Sequence, residues 1–215
     1  IMQEAEMVAK NQLRENLLDF LQAIDQPEAE QPITESAVYL TPGSRPALSA
    51  SQVIGREKEL AYISESLGKD QRPLLLAGIG GIGKTTLAAY YASKNESNYQ
   101  HIAWINSLGN TKIDWVDQIN NFQVLGFRPQ ENLSTEERFE QLVHALNQLP
   151  GSNLMVIDNL NTDEEARELR KHISYLPKGW KVIVTSRVQI KDFQVFSIGT
   201  LQQKAAQHLF QKHYQ

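Results

Sequence analysis

Apolar positions along this chain follow two alternating patterns. Short, nearly unbroken apolar runs occur at Pro73 to Ala77 (PLLLA), His101 to Ser107 (HIAWINS), Asn153 to Asp158 (NLMVID), Trp180 to Thr185 (WKVIVT) and Gln194 to Ile198. Between them lie longer, mixed segments: Glu57 to Leu67, Lys84 to Ser93, Ile113 to Leu125, Ser134 to Leu149, Asp163 to Ile173 and finally Gln202 to Tyr214. The first pattern predicts buried strands and the second predicts helices. Ser134 and Glu137 have the spacing of a capping box at the start of one helix. Strands that are apolar throughout and separated by helices predict an α/β fold in three layers, with a parallel sheet of five strands.

Upstream of these segments the pattern changes. Leu13, Leu17, Phe20, Leu21 and Ile24 form one apolar stripe within Met7 to Ile24, so an N-terminal helix is expected in residues 1–25. Residues 26–50 carry Pro27, Pro32, Pro42, Gly43 and Pro46 among polar residues and read as a linker. Residues 51–215 are the expected folded domain. The chain begins without Met and stops inside an expected helix, which reads as a fragment of a longer protein.

Composition narrows the chemistry. The net charge of −4 gives no electrostatic reason to expect nucleic acid or an anionic membrane as a partner, and no direct nucleic-acid contact is expected from this stretch. The absence of cysteine removes disulfides, thiolate zinc sites and cysteine nucleophiles, and fits a reducing compartment, so a cytoplasmic location is expected. No apolar run approaches the roughly 18 residues of a membrane helix. The nearest, Leu74 to Ile82, is broken by Gly78, Gly80 and Gly81. The five histidines are scattered without metal-ligand spacing, and Trp104 reads as a core residue of its strand.

Four segments carry candidate chemistry. Gly78 to Thr86 reads GIGGIGKTT and contains Gly78-x-x-x-x-Gly83-Lys84-Thr85, placed between an expected strand and an expected helix. Glycines there bring backbone N–H groups against phosphate oxygens, and the helix start adds the positive end of its dipole. Lys84 then reaches the β- and γ-phosphates of ATP or ADP, and the Thr85 hydroxyl ligates Mg²⁺. Asp158 ends an apolar strand, where it would serve the Mg²⁺ shell, and Asn159 follows it. Asn cannot act as a base, so slow hydrolysis is expected, as in a weak Mg-dependent ATPase that acts as a switch. Arg187, in Thr185-Ser186-Arg187, offers a fork of donors for a γ-phosphate. Val53-Ile54-Gly55-Arg56-Glu57 supplies an apolar pair that could line an adenine pocket. Each segment alone has a local alternative: a glycine turn, a capping aspartate, a surface ion pair and an ordinary loop, respectively. No NKxD-type guanine-reading motif follows the Asp158 strand, which favours adenine.

Together the four segments resemble the NB-ARC branch of the STAND signal-transduction ATPases, relatives of the AAA+ proteins. Its hhGRE box corresponds to Val53 to Glu57, its GxGGxGKTTLA loop to Gly78 to Ala88, its Walker B strand to Leu154 to Asn159, and its TSR or TTR strand end to Thr185 to Arg187. A later pattern appears as Leu201 to Phe210, so the resemblance covers Ser51 to Gln215. It implies a sheet order of 2-3-4-1-5, with Arg187 between the Gly-rich-loop strand and the Walker B strand. It implies that Val53 and Ile54 pack on adenine, with Arg56 near the base or ribose. Gly80, Gly81, Ile82, Gly83, Lys84, Thr85 and Thr86 would wrap the phosphates, Asp158 would serve Mg²⁺, and Arg187 would sense the γ-phosphate. Such proteins are held closed by ADP and assemble into homo-oligomers after exchange to ATP, and sensor or effector modules sit elsewhere in the full-length chain. The family's helical and winged-helix domains would follow Gln215. Two other readings stay open: an AAA+-like remodelling ATPase, and the nucleotide-binding core of a transcription regulator.

Overall fold

The computed structural model describes residues 37–44, 46, 53–128, 130 and 132–214. The helix expected in Met7 to Ile24 lies outside them, as does most of the expected linker. In chain order the elements are β1 (Val38–Tyr39), α1 (Glu57–Lys69), β2 (Leu74–Ala77), α2 (Lys84–Lys94), β3 (His101–Asn106), α3 (Thr111–Gln118), α4 (Phe122–Leu125), α5 (Thr135–Gln148), β4 (Asn153–Leu160), α6 (Asp163–Ile173), β5 (Trp180–Ser186), β6 (Gln194–Ser197) and α7 (Gln203–Tyr214).

All strand pairs are parallel, in the order β1-β3-β4-β5-β2-β6. The expected sheet of five strands in the order 2-3-4-1-5 is thus corrected to six strands. The addition is β1, at the edge beside β3, where Val38 pairs with His101 and Tyr39 with Ile102. These residues fall in the stretch that reads as linker. Two strand residues are too few to show a period, and Pro42 and Gly43 next to them mask the signal. Leu40 and Thr41 are nonetheless almost fully buried, and the Thr41 hydroxyl accepts the backbone N–H of Trp104 at 2.7 Å.

Alternation along the strands divides the core into two layers. Leu74 and Leu76 of β2 pack with Ile102 and Trp104 of β3 against α1 and α2, where Ile63, Leu67, Leu87 and Tyr91 are buried. Leu75, Ala77, Ala103 and Ile105 point the other way, toward Trp115, Phe139, Leu142 and Leu169 of α3, α5 and α6. Burial on both faces is why the central strands read as unbroken apolar runs.

One expected helix is interrupted. Ile113 to Leu125 is expected to be continuous, yet α3 ends at Gln118 and α4 begins at Phe122. The Leu40 carbonyl accepts the N–H groups of both Asn120 and Asn121, and the Asn121 side chain donates to the Tyr39 carbonyl. These long-range bonds to the added edge strand replace the helical ones. Two other helix starts are closed locally: Ser134 with Glu137 at α5 and Thr162 with Glu165 at α6 both form complete capping boxes. Among the described residues no helix is long and apolar enough to cross a membrane.

Candidate functional site

The C-terminal ends of β2, β4 and β5 converge on one cleft of about 230 Å³. In open parallel sheets this edge is where ligands bind. One wall is the loop from Gly78 to Gly83 and the first turn of α2, which contributes Gly80, Gly81, Gly83, Lys84, Thr85 and Thr86. The other wall contains Asn159, Asn161, Thr185, Ser186 and Arg187.

The helix start is the anion-seeking part of this cleft. Gly83 is the N-cap of α2, with φ 97 in the left-handed region, and no side chain caps the helix. A residue with a Cβ would be strained there. The first N–H groups of α2 have no helical acceptor and lie at the positive end of the helix dipole. The contrast with the two capping-box helices is chemical: their first turns already hold a carboxylate, whereas that of α2 holds none.

Two cations meet at this end. Lys84 Nζ donates to the carbonyls of Gly78 at 2.9 Å and Ile79 at 3.0 Å, so its side chain folds back over the loop. Its pKa is lowered first by desolvation and then by the Arg187 guanidinium, with Asp158 opposing. Arg187 lies against the loop: a Cβ on Gly80 would stand 3.5 Å from its Cζ and Nη2. Repulsion between Lys84 and Arg187 is relieved by an anion placed between the loop and the end of β5.

Behind the loop, Thr85 Oγ1 donates to Asp158 Oδ1 at 2.7 Å, and Thr185 Oγ1 donates to the same oxygen at 2.5 Å. Asp158 is 6% exposed. A hydroxyl and a carboxylate are hard oxygen donors of the kind Mg²⁺ takes, with waters and phosphate oxygens completing its shell. Among the described residues there is no group of three or more His, Asp or Glu side chains able to hold a metal unaided. An ion held here would complete its shell with waters and phosphate oxygens.

The remaining expected residues stand elsewhere. Val53 and Ile54 are half-buried in the loop before α1, and neither they nor Ile82 line the cleft. Arg56 is read from sequence as a neighbour of base or ribose, but its guanidinium is taken up by protein. It is 8% exposed and donates to Glu59 at 2.7 Å, to the Gly199 carbonyl at 3.0 Å and to the Ile82 carbonyl at 3.2 Å. This clasp ties the loop before α1 to the Gly-rich loop and to the segment after β6. Sequence alone assigns no role to Thr185 or Asn161. Thr185 sits inside a motif notable for its arginine, and Asn161 lies beyond the expected end of its strand. A larger cleft of about 420 Å³ lies beside His172, but it has no glycine loop, and the first turns of α3 and α5 at its edge carry Asp114, Glu136 and Glu137.

The NB-ARC domain family matches residues 56–214 of this chain. The chain belongs to the NB-ARC family. Its α/β fold with a parallel sheet is P-loop NTPase-like, and an NB-ARC domain is a nucleotide-binding P-loop ATPase core. A transcription activator, GutR of Bacillus subtilis (strain 168), is 26% identical over 186 residues, covering 80% of this chain and 20% of GutR. A STAND protein with a tetratricopeptide repeat sensor from Pyrococcus horikoshii aligns with a TM-score of 0.52 at 20% identity, over 80% of this chain and 26% of that one. The ORC1 protein of Aeropyrum pernix, solved in complex with DNA, aligns with a TM-score of 0.57 at 17% identity, over 80% of this chain and 51% of ORC1. The two structural likenesses concern the fold. This NB-ARC domain spans only a fifth of the length of GutR and about a quarter of the STAND protein.

Proposed function

We propose that this NB-ARC domain is the adenine-nucleotide core of a signalling switch, binding ADP at rest and Mg-ATP when active. The observation that carries this reading is the uncapped start of α2 with Lys84 and Arg187 gathered beside it. Backbone amides, a lysine and a guanidinium together suit a polyphosphate, and the Thr85–Asp158 pair suits its Mg²⁺. Gly80 to Thr86 would hold the phosphates. Val53 and Ile54 would meet adenine, and Arg56 would brace that loop rather than contact the base.

Asn159, placed after Asp158 at the cleft wall, offers a carboxamide where a base would be needed for fast turnover. We therefore infer slow hydrolysis, in keeping with a switch and against a remodelling motor. Exchange of ADP for ATP would shift the population between closed and open states through contacts that only ATP makes. Oligomer formation and sensor or effector modules would belong to the full-length protein. The likeness to a transcription activator favours a second reading of the output, in which the switch controls transcription through DNA-binding parts outside these residues.

The test is to denature the purified protein and identify released nucleotide by chromatography. Bound ADP is the expected result, and it also fixes adenine as the base. A protein that releases no nucleotide and binds neither ADP nor Mg-ATP overturns the reading.

A further inference from the structure

The ladder between β4 and β5 is regular up to Ile157 opposite Val184 and resumes with Leu160 opposite Ser186. Between these pairs two residues of β4, Asp158 and Asn159, face one residue of β5, Thr185. An extra residue in one strand leaves backbone groups without ladder partners and bends the strand, and such bulges gather next to functional sites. Here a side chain supplies the missing partner. The Asn159 N–H donates to Thr185 Oγ1 at 2.9 Å, and the Asn159 backbone takes φ 65, which Asn tolerates better than most residues.

Proton directions follow from the donors present. Thr185 Oγ1 accepts from Asn159 and has one proton, which goes to Asp158 Oδ1. Thr85 likewise commits its proton to Asp158 Oδ1, which leaves its lone pairs for a cation. Thr185 is 1% exposed, and its hydroxyl is bonded to protein on both sides. One buried hydroxyl thus fixes the carboxylate and the left-handed residue after it. It lies two positions before Arg187, which follows directly on the end of β5.

We propose that Thr185 is a positioning residue that sets Asp158 for Mg²⁺, so that the Mg²⁺ requirement of nucleotide binding depends on this hydroxyl. This rests on the Mg-nucleotide reading of the cleft. Thr185 touches neither the nucleotide nor the metal in this role. It acts by holding Asp158 and by closing the bulge, which links the metal side of the cleft to the strand end that leads into Arg187.

Thr185→Val keeps the shape and removes the hydroxyl, and Thr185→Ser keeps the hydroxyl. Binding of a fluorescent non-hydrolysable ATP analogue would be titrated with Mg²⁺ for each variant and repeated in EDTA. Thr185→Val should raise the Mg²⁺ concentration for half-maximal binding about tenfold, the lower end for loss of a partner behind a metal ligand. Thr185→Ser should stay within about twofold of wild type, and affinity in EDTA should be equal in all three. If Thr185→Val does not fold, Thr185→Cys carries the same comparison, since a thiol is a weak hydrogen-bonding group. An unchanged Mg²⁺ titration in the hydroxyl-lacking variant overturns the proposal. So does an equal loss with and without Mg²⁺, which would mark a merely structural role. A wild-type protein that binds no nucleotide under either condition removes the underlying reading, and this inference with it.

Discussion

Arg187→Ala tests whether the end of β5 distinguishes triphosphate from diphosphate. The guanidinium lies over Gly80 and close enough to Lys84 to depress its pKa, so it stands at the phosphate end of the cleft. Only ATP supplies a γ-phosphate for it. A hydrogen bond to a charged group contributes about 1.5–3 kcal/mol. Arg187 is exposed, and solvent screening places its contribution at the lower end of that range. About 1.5 kcal/mol corresponds to roughly a tenfold loss of affinity. ATP should therefore bind about tenfold more weakly to the variant, and ADP within about twofold of wild type. Arg187→Lys, which keeps the charge without the planar fork, should fall between them. The assay is competition of ATP and of ADP against a fluorescent nucleotide at saturating Mg²⁺, read as the ratio of the two Kd values. Equal losses for ATP and ADP would refute the assignment, because they would place the guanidinium on the β-phosphate or make it purely structural.

Two further predictions concern the scaffold. Burial lowers the His172 pKa from 6.5 to about 4, against the opposing pull of Glu168, and Trp115 and Phe139 pack around the ring. The folded state then resists a proton that the unfolded chain takes up below pH 6.5. Stability should fall as pH drops through 6.5 toward 4, by up to roughly 3 kcal/mol, and His172→Gln should flatten this part of a urea-midpoint profile. Parallel profiles for the two proteins would remove His172 as the cause. Gly55 has φ 71, and a Cβ on it would stand 2.4 Å from Ala205 Cβ of α7. Gly55→Ala should cost about 2–3 kcal/mol in thermal or urea unfolding, from overlap and left-handed strain together. Ala205→Gly should recover part of that cost but not all. A Gly55→Ala protein as stable as wild type would show that α7 does not pack on this loop.

The central layer of the fold is legible in the sequence because its signals are local. Unbroken apolar runs announce doubly buried strands, and the Gly-rich loop lies within a few residues of the helix it starts. The misreadings are all long-range. Val38–Tyr39 is a strand because β3 offers it a partner, not because of its own pattern. The break at Asn120 and Asn121 exists because the Leu40 carbonyl lies beside both N–H groups. The Asn121 side chain meets the Tyr39 carbonyl across a separation of 82 positions, far outside any local window. Arg56 is of a different kind from these two, since its place near base or ribose is what the family resemblance implies. Its partners at Ile82 and Gly199 become visible only when the chain is folded.

Helix starts show more finely which parts of a site are readable. Two helices carry S/T-x-x-E at their starts: Ser134 with Glu137 at α5, and Thr162 with Glu165 at α6. Those carboxylates already occupy the positive end of each dipole. Glu165 shows the balance: desolvation raises its pKa, but bonds from Ser107, Thr162 and the Asn161 and Thr162 backbone outweigh it, so the net shift is downward. An anion arriving at α5 or α6 would have to displace an internal one. The start of α2 has Gly83 in the cap position and no acid in its first turn. Its amides are left for a ligand. Lys84 beside them bonds to two carbonyls rather than to a carboxylate, and Asp158 acts on it only through its field. An uncapped start is shared with α1 and α4, so what sets α2 apart is the combination of Gly83, an acid-free first turn and Lys84 with Arg187 beside it.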